Sequence, residues 1–221
     1  MLINKFNTTE CINGCKIFND SSNYLYWENK SVTNDEIDIL AFLNSKKDKK
    51  KLTILHIGIG NSFLASKLND FNEIIGITIS QNEIKYASTK NIVNYKYFFL
   101  NKYEANSLNI FENKKFDIII DTNIKSFSCC DKAFNNLFKQ YVNSLSYSGY
   151  IISHINGLKW SRIVRPKLSF SLKNFFHKRL KEYDGPLNNK LGISDCEILA
   201  NENNLKLDLD NTNLVIFKNE K

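Results

Sequence analysis

The chain has 221 residues, 43% of them hydrophobic, and a formal net charge of +7. That is enough for one α/β domain with a full core and short for two. No apolar run approaches the roughly 18 residues of a membrane helix, and Lys5, Glu10 and Lys16 break up the N-terminus, so neither a membrane span nor a signal peptide is read and the expected location is cytoplasmic.

Residues 1–32 read as an N-terminal flap or extension. Tyr24, Tyr26 and Trp27 need a groove, and packing of this segment on the domain surface is the plainer alternative. Thr33-Asn-Asp-Glu36 is a capping box, so a helix is predicted from there to about residue 44. Lys46 to Lys51 is a solvated charge run. Leu52 to Ile57 follow as a buried strand, interrupted at Gly58-Ile-Gly60, after which a helical pattern begins. The amides of Asn61, Ser62 and Phe63 are expected to face outward as helix N-terminal donors.

The same arrangement recurs. Glu73 to Ile79 is a second buried strand, and Ser80-Gln-Asn-Glu83 a second capping box that opens a helix to about Thr89. Lys96 to Leu100 and Phe116 to Ile120 are the third and fourth strands. Phe134, Leu137, Phe138, Tyr141 and Leu145 form a helical core stripe, and Gly149 to His154 a fifth strand. Ser194-Asp-Cys-Glu197 caps a last helix. Leu205, Leu207 and Leu209 then alternate with polar residues before a tight turn into Leu214 to Phe217, which makes an antiparallel hairpin. The predicted fold is a doubly wound α/β sheet of seven strands, mostly parallel with an antiparallel C-terminal hairpin strand, and helices on both faces.

Five cysteines, at 11, 15, 129, 130 and 196, lack paired metal spacing, and no second cluster answers Cys11 and Cys15 in sequence. They read as reduced thiols.

Residues 54–60 (Ile-Leu-His-Ile-Gly-Ile-Gly), 76–80 (Gly-Ile-Thr-Ile-Ser), 104–108 (Glu-Ala-Asn-Ser-Leu), 116–121 (Phe-Asp-Ile-Ile-Ile-Asp) and the Ser148-Gly-Tyr-Ile-Ile turn together resemble the motifs of class I S-adenosylmethionine (SAM)-dependent methyltransferases. The resemblance spans about residues 33–217 and implies SAM as cofactor. Phe63 stands where a dinucleotide site wants a third small residue, and the phosphate-loop Gly-Lys-Ser/Thr is missing, which counts against both rival ligands. The resemblance implies cofactor contacts from His56, Gly58, Gly60, Asn61, Ser62, Thr78, Ile79, Glu104 and Asp121. Three of these depart from the usual pattern: His56 replaces an acid, Ser62 a third glycine, and Thr78 the acid that meets the ribose hydroxyls.

Asp121 and His154, at the ends of the fourth and fifth strands, are the candidate catalytic residues. His154 is either a general base or a neutral strand-end residue; Asp121 binds the SAM ammonium, orients the acceptor or caps a turn. Between 156 and 186 the chain has an insertion carrying eight lysines and arginines against two acids, and it holds all three arginines. Arg162 and Arg165 suit an anionic substrate held in two places at once, with Trp160 as a stacking face and Asn123 beside them. The alternative is a solvated basic face. The Asp followed by Asp-Asn of metal-dependent relatives is missing, so no metal is expected.

These features lead to the expectation of a methyltransferase acting at oxygen or nitrogen of a small, anionic acceptor such as a sugar or nucleotide-sugar. RNA methylation and a non-catalytic SAM-fold scaffold are the alternatives. A basic stripe without a nucleic-acid module does not favour RNA.

Overall fold

In the computed structural model, residues 8–18, 32–45, 51–68, 72–111, 114–159, 189–209 and 213–220 are described. A hairpin of β1 (Thr8–Glu10) and β2 (Lys16–Phe18) comes first. The remaining strands are β3 (Thr53–Ile57), β4 (Glu73–Thr78), β5 (Tyr95–Phe99), β6 (Phe116–Ile120), β7 (Leu145–His154), β8 (Lys206–Leu209) and β9 (Leu214–Lys218). They form one seven-stranded sheet in the order β5-β4-β3-β6-β7-β9-β8. The first five are parallel, and β9 runs antiparallel between β7 and β8. The strand order reverses between β3 and β6, the place where an open α/β sheet leaves a crevice at its carboxyl ends.

Alternation along the strands builds two cores. Leu55, Ile57, Ile75, Ile77, Ile119 and Ile151 face one side, packed with Phe134, Leu137 and Phe138. Those aromatics belong to α4 (Asp131–Ser144). Ile54, Ile74, Ile118, Ile120 and Ile152 face the other, packed with Ile39, Leu43, Leu64 and Leu68. These come from α1 (Asn34–Ser45) and α2 (Phe63–Leu68). The inner strands β3, β4 and β6 are largely apolar on both faces because both faces are covered, as parallel sheets require, whereas β5 and β8 at the two edges carry exposed polar residues.

The capping box at Thr33 is formed: Glu36 N–H donates to Thr33 Oγ1 at 3.3 Å, and Thr33 N–H to Glu36 Oε2 at 2.9 Å. The box at Ser80, opening α3 (Gln81–Thr89), is only half formed. Glu83 N–H reaches Ser80 Oγ at 3.4 Å, while the Glu83 carboxylate turns elsewhere. The last helix, α6 (Ile193–Glu202), starts earlier than its sequence suggests, because Asp195 accepts from Gly192 N–H at 2.7 Å and so takes the role expected of Glu197.

Strand β7 is four residues longer at its start than the apolar run, with Ser148 in the left-handed region (φ 58°) and a register shift opposite Phe116 and Ile118. A bulge accommodates the Leu145-Ser-Tyr-Ser stretch at the start of this inner strand, where Leu145 pairs with Phe116. Among the described residues no helix is long and apolar enough to cross a membrane.

Candidate active site

The strand-to-helix turn after β3 holds three left-handed residues, Gly58 (φ 74°), Gly60 (φ 50°) and Ser62 (φ 61°). Only glycine takes that conformation without cost, so Ser62 keeps the backbone of a third glycine while carrying a side chain. A Cβ built on Gly58 would meet no atom within 4 Å, which leaves open space at the strand tip. Gly58 N–H donates to Ile77 O at 2.8 Å and so ties the turn to β4.

The turn amides are not all outward donors. Ser62 N–H bonds Ile59 O at 2.8 Å, and Phe63 N–H bonds the Asn61 side-chain oxygen at 3.1 Å. Asn61 thus caps the short α2 itself, and the expectation of three outward amides is corrected.

Thr78 and Ile79 lie at the tip of β4, with Thr78 buried. The Thr78 hydroxyl does not face outward for a ribose. It donates to Glu83 Oε2 at 2.6 Å and accepts from Ser80 N–H at 3.1 Å. The same Glu83 oxygen accepts from Gly60 N–H at 3.2 Å. A buried carboxylate from α3 therefore bridges the glycine turn and the end of β4. The carboxylate at this strand end thus comes from the first turn of α3, from an acid that in sequence looks like half of a capping box.

His56, the residue before Ile57 on β3, is 4% exposed and lies in register with Gly76 and Ile120. Its Nδ1 is one of three buried side-chain polar atoms without a hydrogen-bond partner among the described residues. Burial pulls its pKa down to about 4, so it is neutral near pH 7.

Beyond β5, Glu104 is partly exposed, and burial raises its carboxyl above the usual range against a hydrogen bond from the Asn101 backbone. Beyond β6, Asp121 is 2% exposed and already committed. Its Oδ2 accepts from Lys102 Nζ at 2.7 Å and from Tyr141 O–H at 2.8 Å. Lys102 also donates to Asn123 O at 3.0 Å and Ile124 O at 3.2 Å, so all three of its protons have acceptors. Burial draws the lysine below its ordinary pKa while Asp121 opposes the shift. Tyr103 O–H joins this loop at Ile124 O (3.1 Å) and Ser126 O (2.8 Å). The residues after β6 are thus held in place by the Asp121–Lys102 ion pair, by Tyr103, and by Tyr141, which sequence spacing placed only in the core stripe. In a lysine-rich chain Lys102 has nothing to distinguish it.

His154 ends β7 but is buried toward α1. Its Nδ1 accepts from Asn156 N–H at 3.1 Å, and Nε2 lies 3.2 Å from Asp38 Oδ2. Both nitrogens are used, so His154 is not placed to take a proton from an acceptor in the crevice. The general-base reading gives way to the strand-end reading for that reason. Asn123 is half-buried beside the short helix α5 (Ile155–Leu158), where a Cβ on Gly157 would lie 2.8 Å from its Oδ1. Trp160, Arg162 and Arg165 lie outside the described residues. Leu158 and Leu191, on either side of residues 160–188, are joined by a 2.9 Å backbone bond, Leu191 N–H to Leu158 O. Asn189 donates to Ser128 O at 2.9 Å. The insertion therefore begins and ends beside the loop that follows β6.

The five cysteines have no disulfide partners in the structure, and the lack of a second cluster holds only in sequence. In space Cys129 and Cys130 lie against Cys11 and Cys15, across 119 residues for the Cys11–Cys130 pair.

No family model and no curated protein matches the chain by sequence. Solved structures do match in fold. The CcbJ methyltransferase from Streptomyces caelestis superposes with a TM-score of 0.62 at 11% identity, covering 92% of this chain and 98% of that one. A TehB-like SAM-dependent methyltransferase from Corynebacterium glutamicum gives 0.55 at 12%, covering 88% and 92%. Magnesium protoporphyrin IX methyltransferase from Synechocystis, with bound SAH, gives 0.53 at 14%, covering 83% and 80%. With its reversed final strand, its strand order and its glycine turn after β3, this chain has the fold of the class I SAM-dependent methyltransferases.

Proposed function

We propose that the chain binds SAM at the turn after β3 and transfers its methyl group to oxygen or nitrogen of a small, anionic acceptor. The observation that carries this reading is the bridge made by Glu83 between Gly60 and Thr78, which brings a carboxylate to the edge of the crevice where the fold family meets a ribose. The residues suit such a ligand. Gly58 has open space at its Cβ, and the partnerless Nδ1 of His56 lies one strand position before the turn. Gly58, Gly60, Ser62 and Ile79 would line the cofactor, with Glu104 toward its base.

SAM supplies an electrophilic methyl on a sulfonium. The protein's contribution is to hold the acceptor in line and close, which can supply much of the acceleration by itself. With both nitrogens of His154 bonded and Asp121 paired with Lys102, acceptors that need no proton removed as the new bond forms, an unprotonated amine or an ionised oxygen, fit better than a neutral alcohol. Arg162 and Arg165 are proposed for the anionic part of the acceptor, since the insertion bearing them leaves and rejoins the fold beside the Asn123 loop. Positioning is assigned to Asp121, through the order it imposes on residues 121–126.

Calorimetry with SAM and SAH tests the cofactor, followed by methyl-transfer assays on phosphorylated and carboxylated small molecules. No binding at millimolar SAM would sink the enzyme reading. It would favour a scaffold without catalysis, for which the self-satisfied turn of Asn61, Phe63 and Thr78 is the supporting observation.

A further inference from the structure

The sulfur atoms of Cys11, Cys15, Cys129 and Cys130 all lie within 4.8 Å of one another. Two neighbouring pairs are 3.9 Å apart (Cys129–Cys130) and 4.0 Å apart (Cys11–Cys130). Four thiolates around one zinc at about 2.3 Å stand about 3.8 Å apart along each tetrahedral edge. The geometry points to a structural zinc site of four cysteines, Cys11 and Cys15 from the N-terminal hairpin and Cys129 and Cys130 from the loop that leads into α4.

Packing alone does not explain why all four meet. Cys11 is buried in the apolar core and Cys15, Cys129 and Cys130, half-buried, pack against it, yet their four sulfurs also converge on one another. Thiols are weak donors and weak acceptors and gain little from meeting in fours. A thiolate-loving cation gives them a reason to meet, and four-sulfur tetrahedral sites select zinc or iron among the common metals.

The surroundings are those of a ligand set. The Cys11-Ile-Asn-Gly-Cys15 turn closes through Cys11 N–H to Cys15 O (3.0 Å) and Gly14 N–H to Cys11 O (2.9 Å), with Gly14 left-handed at φ 72°. The turn aims Asn13 N–H at Cys11 Sγ at 3.3 Å and the Asn13 amide at Cys15 Sγ at 3.9 Å. Donors that aim at sulfur stabilise thiolates and orient them for a metal. Opposite, Cys130 immediately precedes the fourteen-residue helix α4, whose positive end offsets the charge of a tetrathiolate site. Ser128 O–H to Cys130 O, at 2.7 Å, holds that pair.

The consequence is mechanical. Two strands of three residues each do not make a stable hairpin alone. Zinc would pin β1 and β2 to residues 121–130, the stretch that begins with Asp121 and forms one wall of the crevice. Folding of the N-terminal hairpin and placement of that wall would then be one metal-dependent event.

The test uses the full chain, expressed with zinc supplied and purified under reducing conditions, with metal content measured by plasma mass spectrometry. One equivalent of zinc per chain is expected. Cys11→Ser and Cys129→Ser should each lose it, while Cys196→Ser, whose sulfur lies outside the cluster, should keep it. Because a ligand variant can fail to fold, cobalt is also exchanged into the unaltered chain. Intense visible bands and sulfur-to-cobalt charge transfer would support tetrahedral thiolate ligation. A chain with no bound metal, a disulfide among these four cysteines, or stoichiometric iron in place of zinc would each overturn the assignment.

Discussion

Thr78 donates its hydroxyl hydrogen to Glu83 at 2.6 Å, and the carboxylate oxygen that receives it also takes Gly60 N–H. Two residues thus form a hydrogen-bonded pair at the place where the pattern this fold usually carries has one strand-end acid. An aspartate at position 78 would not simply restore that pattern, because it would press a second carboxylate against a buried one. Thr78→Asp is expected to lower stability by about 1–3 kcal/mol, from repulsion and the lost hydrogen bond together. Adding Glu83→Gln should recover most of that loss and preserve SAM affinity, whereas Glu83→Gln alone should weaken SAM binding. Urea unfolding and calorimetry on the four members of the cycle decide it; additive effects would show that the two side chains do not act as a pair.

The Lys102–Asp121 pair is 2.7 Å long, with side chains 9% and 3% exposed. Removing one charge leaves the other buried and unpaired, so Lys102→Met or Asp121→Leu alone should cost about 3–5 kcal/mol. The double variant replaces the pair with apolar volume and should lie much closer to the parent in stability. Activity should not follow stability. Without the ammonium, the carbonyl of Asn123 loses that donor and the carbonyl of Ile124 keeps only Tyr103 O–H, so residues 121–126 are expected to lose order. A double variant that is both stable and fully active would refute the positioning role of the pair.

These two relationships mark where the sequence stopped being informative. Seven strands, the antiparallel C-terminal hairpin and both helix layers were legible because the inner strands are apolar nearly throughout and the helices announce themselves with caps and periodic stripes. The glycine turn was legible because Gly58 and Gly60 require left-handed backbone. Glu83 was misread because a capping-box glutamate and a crevice glutamate look identical until one knows whether the chain bends the carboxylate toward its own helix or toward Gly60. Lys102, the Tyr141 bond to Asp121 and the pairing of Cys11 with Cys130 were invisible for another reason. Each depends on residues brought together from distant segments, and spacing along a single chain does not record that.

His56 predicts a pH dependence. Its pKa falls from 6.5 unfolded to about 4 in the fold, because burial disfavours the charged ring. Between those values the unfolded chain binds a proton that the native chain refuses, so stability declines as pH falls from 6.5 toward 4 and is unaffected by this residue above 6.5. The full contribution is about 3 kcal/mol. Carboxylates titrate in the same range, so the measurement is a difference between the parent and His56→Gln. The variant should gain on the parent by about that amount between pH 7.5 and pH 4. A constant difference across this range would mean that His56 carries its proton in the fold.

Gly157 lies where the two loops that border the crevice touch. A Cβ there would fall 1.7 Å from Thr122 O and 2.6 Å from Thr122 C, both backbone atoms, so no side-chain rotation relieves the clash. The contact is reinforced by Ser153 O–H, which donates to Thr122 O at 3.1 Å. Gly157→Ala must therefore push α5 off the loop after β6, at a cost of about 3 kcal/mol or more in unfolding free energy. Lys159 follows α5 directly, and the arginine-bearing insertion departs after it, so the same displacement should shift where acceptor-binding residues meet the crevice. The expected result is a lower denaturation midpoint together with a raised acceptor KM and an unchanged SAM affinity, because the glycine turn after β3 is untouched. A variant with parental stability would mean that α5 does not pack on Thr122, and with that contact would go the argument that the insertion stands at the acceptor side of the crevice.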